Sequence, residues 1–337
     1  MATIIDLATK AGVAPITVSR VINNSGYVRE DIRKRVQQAI EELDYVPNAL
    51  ARGLRSKRTF TLSLVLTDIT NPFFTTMARG IEDAASANGY MLLVCNTDER
   101  EDKERMYLQL LLQKRADGIL LVPSRKISGN ADLFRNRRTP VVILDRRVEG
   151  ISADVVRGDS VQGAYKLGML LASLGHKRIA MITGPSEVSS SEDREIGFRK
   201  AMREAGIEST LTVYSGFFVQ ESGMEMTNKA LQASPPPTAI FAANNFIAIG
   251  ALKALQAKGL RVPEDIAMVA FDDLPESMVT FPFLTVAAQP AYDIGVQGVR
   301  LLLERLESEE PTPYREVVLP IELRVRKSSG EALKNHS

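Results

Sequence analysis

With 337 residues, 45% hydrophobic and 25% charged, the chain is long enough for two or three globular domains. No apolar run approaches the roughly 18 residues of a membrane span, and the N-terminus has no apolar leader core. The single cysteine, Cys95, excludes an intrachain disulfide, and the chain reads as cytoplasmic.

The net charge of +1 hides an asymmetry: residues 1–60 carry +4 and the remainder −3. A basic head suits a polyanion, because neutralising phosphates supplies most non-specific nucleic-acid affinity. The first elements fit that. Ile4, Ile5, Leu7 and Ala8 give a first helix an apolar face at helical spacing. Gly12 fits a tight turn, and Pro15 suits the first turn of a second helix, where a missing N–H does no harm. Val18, Val21 and Ile22 would dock that helix on the first, leaving Thr17, Ser19 and Arg20 outward. This is the pattern of a DNA-binding helix-turn-helix, although an ordinary helical hairpin has the same spacing. A third helical stretch, 30–44, carries its stripe at Val36, Ala39, Ile40 and Leu43. It ends before Pro47, which disfavours helix at the residue before it. A short potential helix with an Asn cap follows at 48–55, then a polar linker at 56–59.

From residue 60 short β-rich runs alternate with helical ones. Strands are predicted at 61–66, 91–95, 118–122, 141–144, 178–183, 211–214, 238–241 and 266–271. Helices are predicted at 73–88, 160–174, 193–205, 221–233 and 247–258. Such alternation implies parallel, doubly wound sheets, and the length favours two lobes with a break near 157–159. In an open parallel sheet, ligands bind beyond the carboxyl ends of the strands. There the chain places Asp68 and Asn71, Asp98, Asp145 and Arg146, Asn244 and Asn245, and Asp272 and Asp273, with Phe73 and Phe74 beside the first group. Carboxylates, carboxamides and arginines with an aromatic platform suit a polyol, though Asp and Asn are also ordinary caps and turn residues.

Catalytic and cofactor signatures are missing. No two glycines are separated by one residue, so a GxGxxG dinucleotide fingerprint cannot occur. Gly158 and Gly163 have phosphate-loop spacing, but Ala164 and Tyr165 stand where Lys and Ser/Thr are needed. Two histidines, His176 and His336, and one cysteine make no zinc set. No cofactor, metal or enzymatic activity is expected.

The ordered stretches IIDLATKAGVAPITVSRVINNSGYV, YVPNALARGL, NPFF, VVILDRR, LGHKRIAMITGP, DREIGFRKAM, FAANNFIAIGALKAL, VPEDIAMVAFDD and TVAAQP resemble the LacI/GalR family of bacterial transcription regulators over essentially the whole chain. The resemblance implies a helix-turn-helix domain at 1–46, a hinge helix and linker at 47–59, a two-lobed α/β core at 60–328 like periplasmic sugar-binding proteins, and a tail at 329–337. It implies a homodimer on a pseudo-palindromic operator, controlled by a small sugar. On matching positions, Pro15, Ile16 and Arg20 would face base edges. Thr17, Ser19 and Asn23 would lie toward the DNA backbone, and Thr3 would also belong to the DNA-binding surface. Asn48, Leu54 and Arg55 would belong to the hinge, with Leu54 as a minor-groove wedge.

The core resembles ribose-type members, and the matching pocket positions are Asn71, Phe73, Phe74, Asp145, Arg146, Arg194, Phe218, Asn244, Asp272 and Gln289. Phe218 has Phe217 beside it, so its register is open, and Asn245 replaces a common Asp. The expected function is a repressor induced by ribose or a related pentose. A hexose, a sugar acid, a corepressor and, more distantly, a sugar-transport module stand as alternatives. The two arginines would equally anchor a carboxylate. The tail is too short for a heptad tetramerisation helix.

Overall fold

A computed structural model describes residues 2–45, 58–125, 129–134, 139–275, 281–308, 310 and 312–330. They fall into two compact units, Met1–Thr59 and Phe60–Ser337. The expected hinge residues Asn48, Leu54 and Arg55 lie outside the described residues.

The first unit is three helices: α1 (Ile4–Ala11), α2 (Pro15–Ile22) and α3 (Glu30–Glu42). Thr3 and Asp6 form a capping box, each accepting from the other's backbone N–H at 3.3 and 2.8 Å. Gly12 ends α1 at φ +64°, a left-handed conformation suited to glycine. A Cβ there would also press on the Arg35 guanidinium at 2.7 Å. Pro15 begins α2. Leu7, Ala8, Ala11, Val18, Val21, Val36 and Ala39 make the small core. Ile5 departs from expectation: it is 67% exposed. It sits one residue past Ile4, about a quarter-turn off the stripe that Ile4, Leu7, Ala8 and Ala11 share.

The second unit has two six-stranded sheets. Its elements are β1 (Thr61–Leu66), α4 (Pro72–Ala87), β2 (Met91–Asn96), α5 (Glu101–Gln113), β3 (Gly118–Leu121), β4 (Val141–Leu144), β5 (Asp154–Gly158) and α6 (Ser160–Ser173). They continue with β6 (Ile179–Thr183), α7 (Ser189–Glu204), β7 (Leu211–Ser215), α8 (Gln220–Ala230), β8 (Ala239–Ala242), α9 (Asn245–Ala257) and β9 (Ala267–Phe271). Last come β10 (Thr285–Ala288), α10 (Ala291–Glu307), β11 (Glu316–Leu319) and β12 (Glu322–Arg324).

The first lobe's sheet runs β11-β5-β4-β3-β1-β2, parallel throughout. The second runs β12-β10-β9-β8-β6-β7, parallel except where β12 pairs with β10. Both are covered on two faces, so their central strands β3, β4, β6, β8 and β9 are buried end to end. Phe198 and Phe241 stack at 4.6 Å in the second lobe's core.

The chain passes between lobes three times, at 158–160, 288–291 and 319–322. The first crossing falls at the break expected from the sequence. The other two do not appear in that reading: α10 returns to pack on α4 and β3–β5, and β11 and β12 then close one sheet each.

Candidate functional site

A cleft of about 670 Å³ lies at the carboxyl ends of the strands, lined from both lobes. The first lobe gives Asn71, Phe73 and Phe74 from the start of α4, Glu99 after β2, and Asp145 and Arg146 after β4. The second gives Arg194 from α7, Phe218 ahead of α8, Asn244 as the cap of α9, and Asp272 after β9. Nine of the ten expected pocket residues therefore line one cleft. Gln289 does not. It lines a neighbouring recess of about 420 Å³ and reaches the site indirectly, donating from Nε2 to Asp272 Oδ1 at 2.7 Å. Asp273 also turns away, held by Arg324 and Arg326 at 3.0 and 2.6 Å. Phe217 lines the cleft beside Phe218 but is 65% exposed, whereas Phe218 packs over Gly184.

The two lobes offer matching acidic corners. Asp145 and Asp272 each follow a central strand, at φ +63° and +66°, conformations that cost a residue with a Cβ about 1–3 kcal/mol. Each backbone N–H is held by the neighbouring strand: Asp145 N donates to Val156 O at 2.9 Å, and Asp272 N to Ala287 O at 3.0 Å. Both side chains are buried. Desolvation pushes the Asp145 carboxyl up to about 6, against the pull of Arg146 and Arg194. Burial also raises Asp272, opposed by Arg194 and Gln289.

The arginines are buried too, but much of their hydrogen-bonding capacity is committed. Arg146 gives both terminal nitrogens to Glu99, at 2.7 and 2.6 Å, and Nη1 also donates to Pro123 O at 2.9 Å. Arg194 donates to Ala243 O at 2.6 Å and lies 4.0 Å over the Phe271 ring. Among the described residues, Asp145 Oδ1 and the Nε atoms of Arg146 and Arg194 are buried with no hydrogen-bond partner. Unmet donors and acceptors in a cleft with aromatic walls are the means of holding a hydroxylated ring. Phe73 and Phe74 meet edge to face at 5.1 Å, and Arg146 lies 5.9 Å over the Phe218 ring.

Asn71 and Asn244 cap α4 and α9, accepting from Phe73 N at 3.0 Å and Ile247 N at 2.7 Å. Asn71 Oδ1 also accepts from Asn245 Nδ2 across the cleft at 2.9 Å. Asn245 is thus engaged with the opposite lobe. Outside the cleft lining, the lobes also meet where Arg147 N donates to Ser189 Oγ at 2.8 Å and the Arg147 guanidinium pairs with Asp193.

Glu99 was not among the expected site residues. Its signal was its place directly after Asp98, where β2 ends. Asp98 itself is engaged by Lys103 and Asn96 near the rim.

In the helical unit, Pro15, Ile16, Arg20 and Asn23 are exposed, and Thr17 and Ser19 are half-buried. Asn23 Nδ2 donates to Ser19 O at 2.8 Å and to Ser19 Oγ at 3.2 Å. Thr3 has its hydroxyl in the α1 cap.

Residues 3–48 match the model of bacterial regulatory proteins of the lacI family, and residues 170–329 that of a periplasmic binding protein-like domain. The chain is 38% identical to the ribose operon repressor of Halalkalibacterium halodurans, covering 99% of this chain and 100% of that one. It is 37% identical to the HTH-type transcriptional repressor PurR of Pasteurella multocida, covering 97% and 98%. Among solved structures, it resembles the lac repressor dimer bound to operator and the anti-inducer ONPF. The TM-score is 0.85 at 26% identity, over 97% of this chain and 99% of that one. The chain belongs to the LacI family of bacterial regulatory proteins.

Proposed function

We propose that the protein is a cytoplasmic transcriptional repressor that binds a pseudo-palindromic operator as a homodimer and is released by ribose or a related pentose. The observation that carries the effector class is the cleft. Two buried aspartates, two buried arginines whose Nε atoms have no hydrogen-bond partner among the described residues, and phenylalanines from both lobes converge there. The name of the Halalkalibacterium relative points to ribose. The near-equal identity to a repressor of another name leaves the choice to pocket chemistry.

In this reading Phe73, Phe74 and Phe218 enclose the sugar ring. Asp145 and Asp272 accept hydrogen bonds from its hydroxyls, Asn71 and Asn244 take and give them, and Arg146 and Arg194 donate to them. Gln289 orients Asp272. A site built to pair hydroxyls rejects analogues that lack them, because its own polar groups are then stranded. Sugar that touches both lobes favours their closure. DNA release follows if the closed, sugar-bound form is the form with weak operator affinity.

At the other end, Pro15, Ile16 and Arg20 read base edges from the major groove. Arg20 has the guanidinium fork for guanine O6 and N7, and Pro15-Ile16 suit apolar contact with thymine methyls. Thr3, Thr17, Ser19 and Asn23 face phosphate, and residues 48–55 serve as the hinge, with Leu54 as the wedge. Among the described residues no helix is long and apolar enough to cross a membrane.

A thermal-shift panel of pentoses, hexoses, sugar acids, nucleosides and nucleobases tests the effector. Ribose or another pentose should raise the melting temperature in proportion to ln(1 + [ligand]/Kd). A panel in which no pentose shifts it refutes the assignment.

A further inference from the structure

Arg146 and Arg194 raise a question of ligand charge that the sugar reading alone leaves open: two buried guanidinium groups equally suit a sugar acid. Glu99 answers it. Its carboxylate sits end-on against Arg146, Oε1 at 2.6 Å from Nη2 and Oε2 at 2.7 Å from Nη1, while the Arg146 side chain is 3% exposed. A bidentate carboxylate–guanidinium pair has shape and charge already matched.

The pair is anchored from both sides. Pro123 O takes another Nη1 proton at 2.9 Å. Asp98 and Glu99 are consecutive residues at φ +54° and +58°, and the turn is closed by Glu99 N donating to Thr67 O at 3.3 Å. Such backbone is costly without glycine and persists where the surroundings hold it.

After these bonds Arg146 keeps the edge formed by Nε–H and the second Nη2–H. Nε is buried with no partner among the described residues and lies 3.7 Å from Asp145 Oδ2. That edge has two parallel donors but no net charge left to offer. Asp145 and Asp272 balance Arg146 and Arg194 among the buried groups, and over the whole lining five carboxylates, the half-buried Glu99 included, face four arginines, an excess of one negative charge when all are ionised. An anion entering there meets a carboxylate excess, and like charges brought together oppose its binding. Two neighbouring hydroxyls instead accept both Arg146 protons and donate to Asp145 and Asp272.

We propose that Glu99 is a positioning and specificity-determining residue: by neutralising Arg146 it reserves the cleft for an uncharged polyol and excludes the corresponding sugar acids and phosphates. This rests on the sugar-binding reading above. Residues that set ligand specificity commonly do so by repelling the competitor as well as fitting the right partner.

The test is calorimetric titration of the full-length protein with ribose, ribonate and ribose 5-phosphate, on wild type, Glu99→Gln and Glu99→Asp. Wild type should bind ribose at least about 100-fold more tightly than either anion. Glu99→Gln should weaken ribose and strengthen ribonate, shrinking that ratio at least about tenfold. Glu99→Asp keeps the charge and should retain the rejection. Loss of packing alone weakens all three ligands together and leaves the ratio standing, so the ratio separates a specificity role from a structural one.

An unchanged ratio in Glu99→Gln, with ribose binding intact in wild type, overturns the Glu99 proposal and leaves the pentose reading standing. Wild type that takes a neutral hexose instead of ribose overturns the pentose reading, and the Glu99 comparison is then read on that hexose and its acid. Wild type that prefers ribonate, or that binds no neutral sugar, overturns both. If Glu99→Gln does not fold, Glu99→Ala decides by the same three titrations. A ribose-to-ribonate ratio that shrinks at least about tenfold supports the proposal, and an unchanged ratio contradicts it.

Discussion

Asp145 has its carboxyl lifted to about 6 by burial, with two arginines limiting the rise. Above that value the group is ionised and accepts hydroxyl protons; below it the neutral acid has lost that capacity. Pentose affinity should therefore fall by up to about tenfold per pH unit below 6. On the unliganded fold the same group acts with the opposite sense. Its folded value lies above the ordinary 3.8, so proton uptake favours the fold fully below 3.8, and that contribution is lost as pH rises through about 6. Asp145→Asn should weaken the pentose by roughly 10–100-fold, the loss expected for a hydrogen bond to a charged group. It should also flatten the pH dependence of binding between 5 and 7. Calorimetry over that range checks both, and a pH profile that persists in Asp145→Asn assigns the titration elsewhere.

The elements show which parts of the fold a sequence makes visible. Strands such as β4 and β9 are fully buried apolar runs, and α1–α3 have one clear stripe each, so they were legible. The edge strands β11 and β12 were not: Glu316 and Glu322 open them, and their pattern alternates over only three or four residues. Helix α10 was missed although its stripe is regular, because strand-helix alternation suggested lobes that follow one another along the chain. The site was legible where polar residues follow strands. Glu99 was not, because its meaning depends on Arg146, 47 positions away.

Helix α10 matters to the cleft through α4, whose first turn bears Asn71, Phe73 and Phe74. Backbone meets backbone there without room: a Cβ on Gly295 would lie 2.3 Å from Met77 O, and one on Gly80 2.2 Å from Tyr292 O. Neither carbonyl can rotate away without breaking its helix. Gly295→Ala should cost about 1–3 kcal/mol by overpacking. It should also weaken sugar binding, as α4 shifts away. Urea unfolding measures the first, and an unchanged midpoint would show that the helices separate freely.

At the scale of the whole molecule, the head has a helix-turn-helix and the core a cleft between lobes joined by three crossings. Contacts between the lobes already exist on this chain: Asn245 to Asn71, and Arg147 to Ser189 and Asp193. A ligand changes the balance between lobe arrangements only by its differential affinity for them, and a tenfold effect on DNA requires about 1.4 kcal/mol of coupling. By reciprocity, operator DNA must weaken the sugar by the same factor.

The central claim joins these two ends, and operator affinity with and without sugar tests it most directly. Using a duplex recovered by selection from random DNA, titrations in saturating ribose should show affinity at least about tenfold lower than in its absence. Equal affinities, or tighter binding with ribose, would contradict the account.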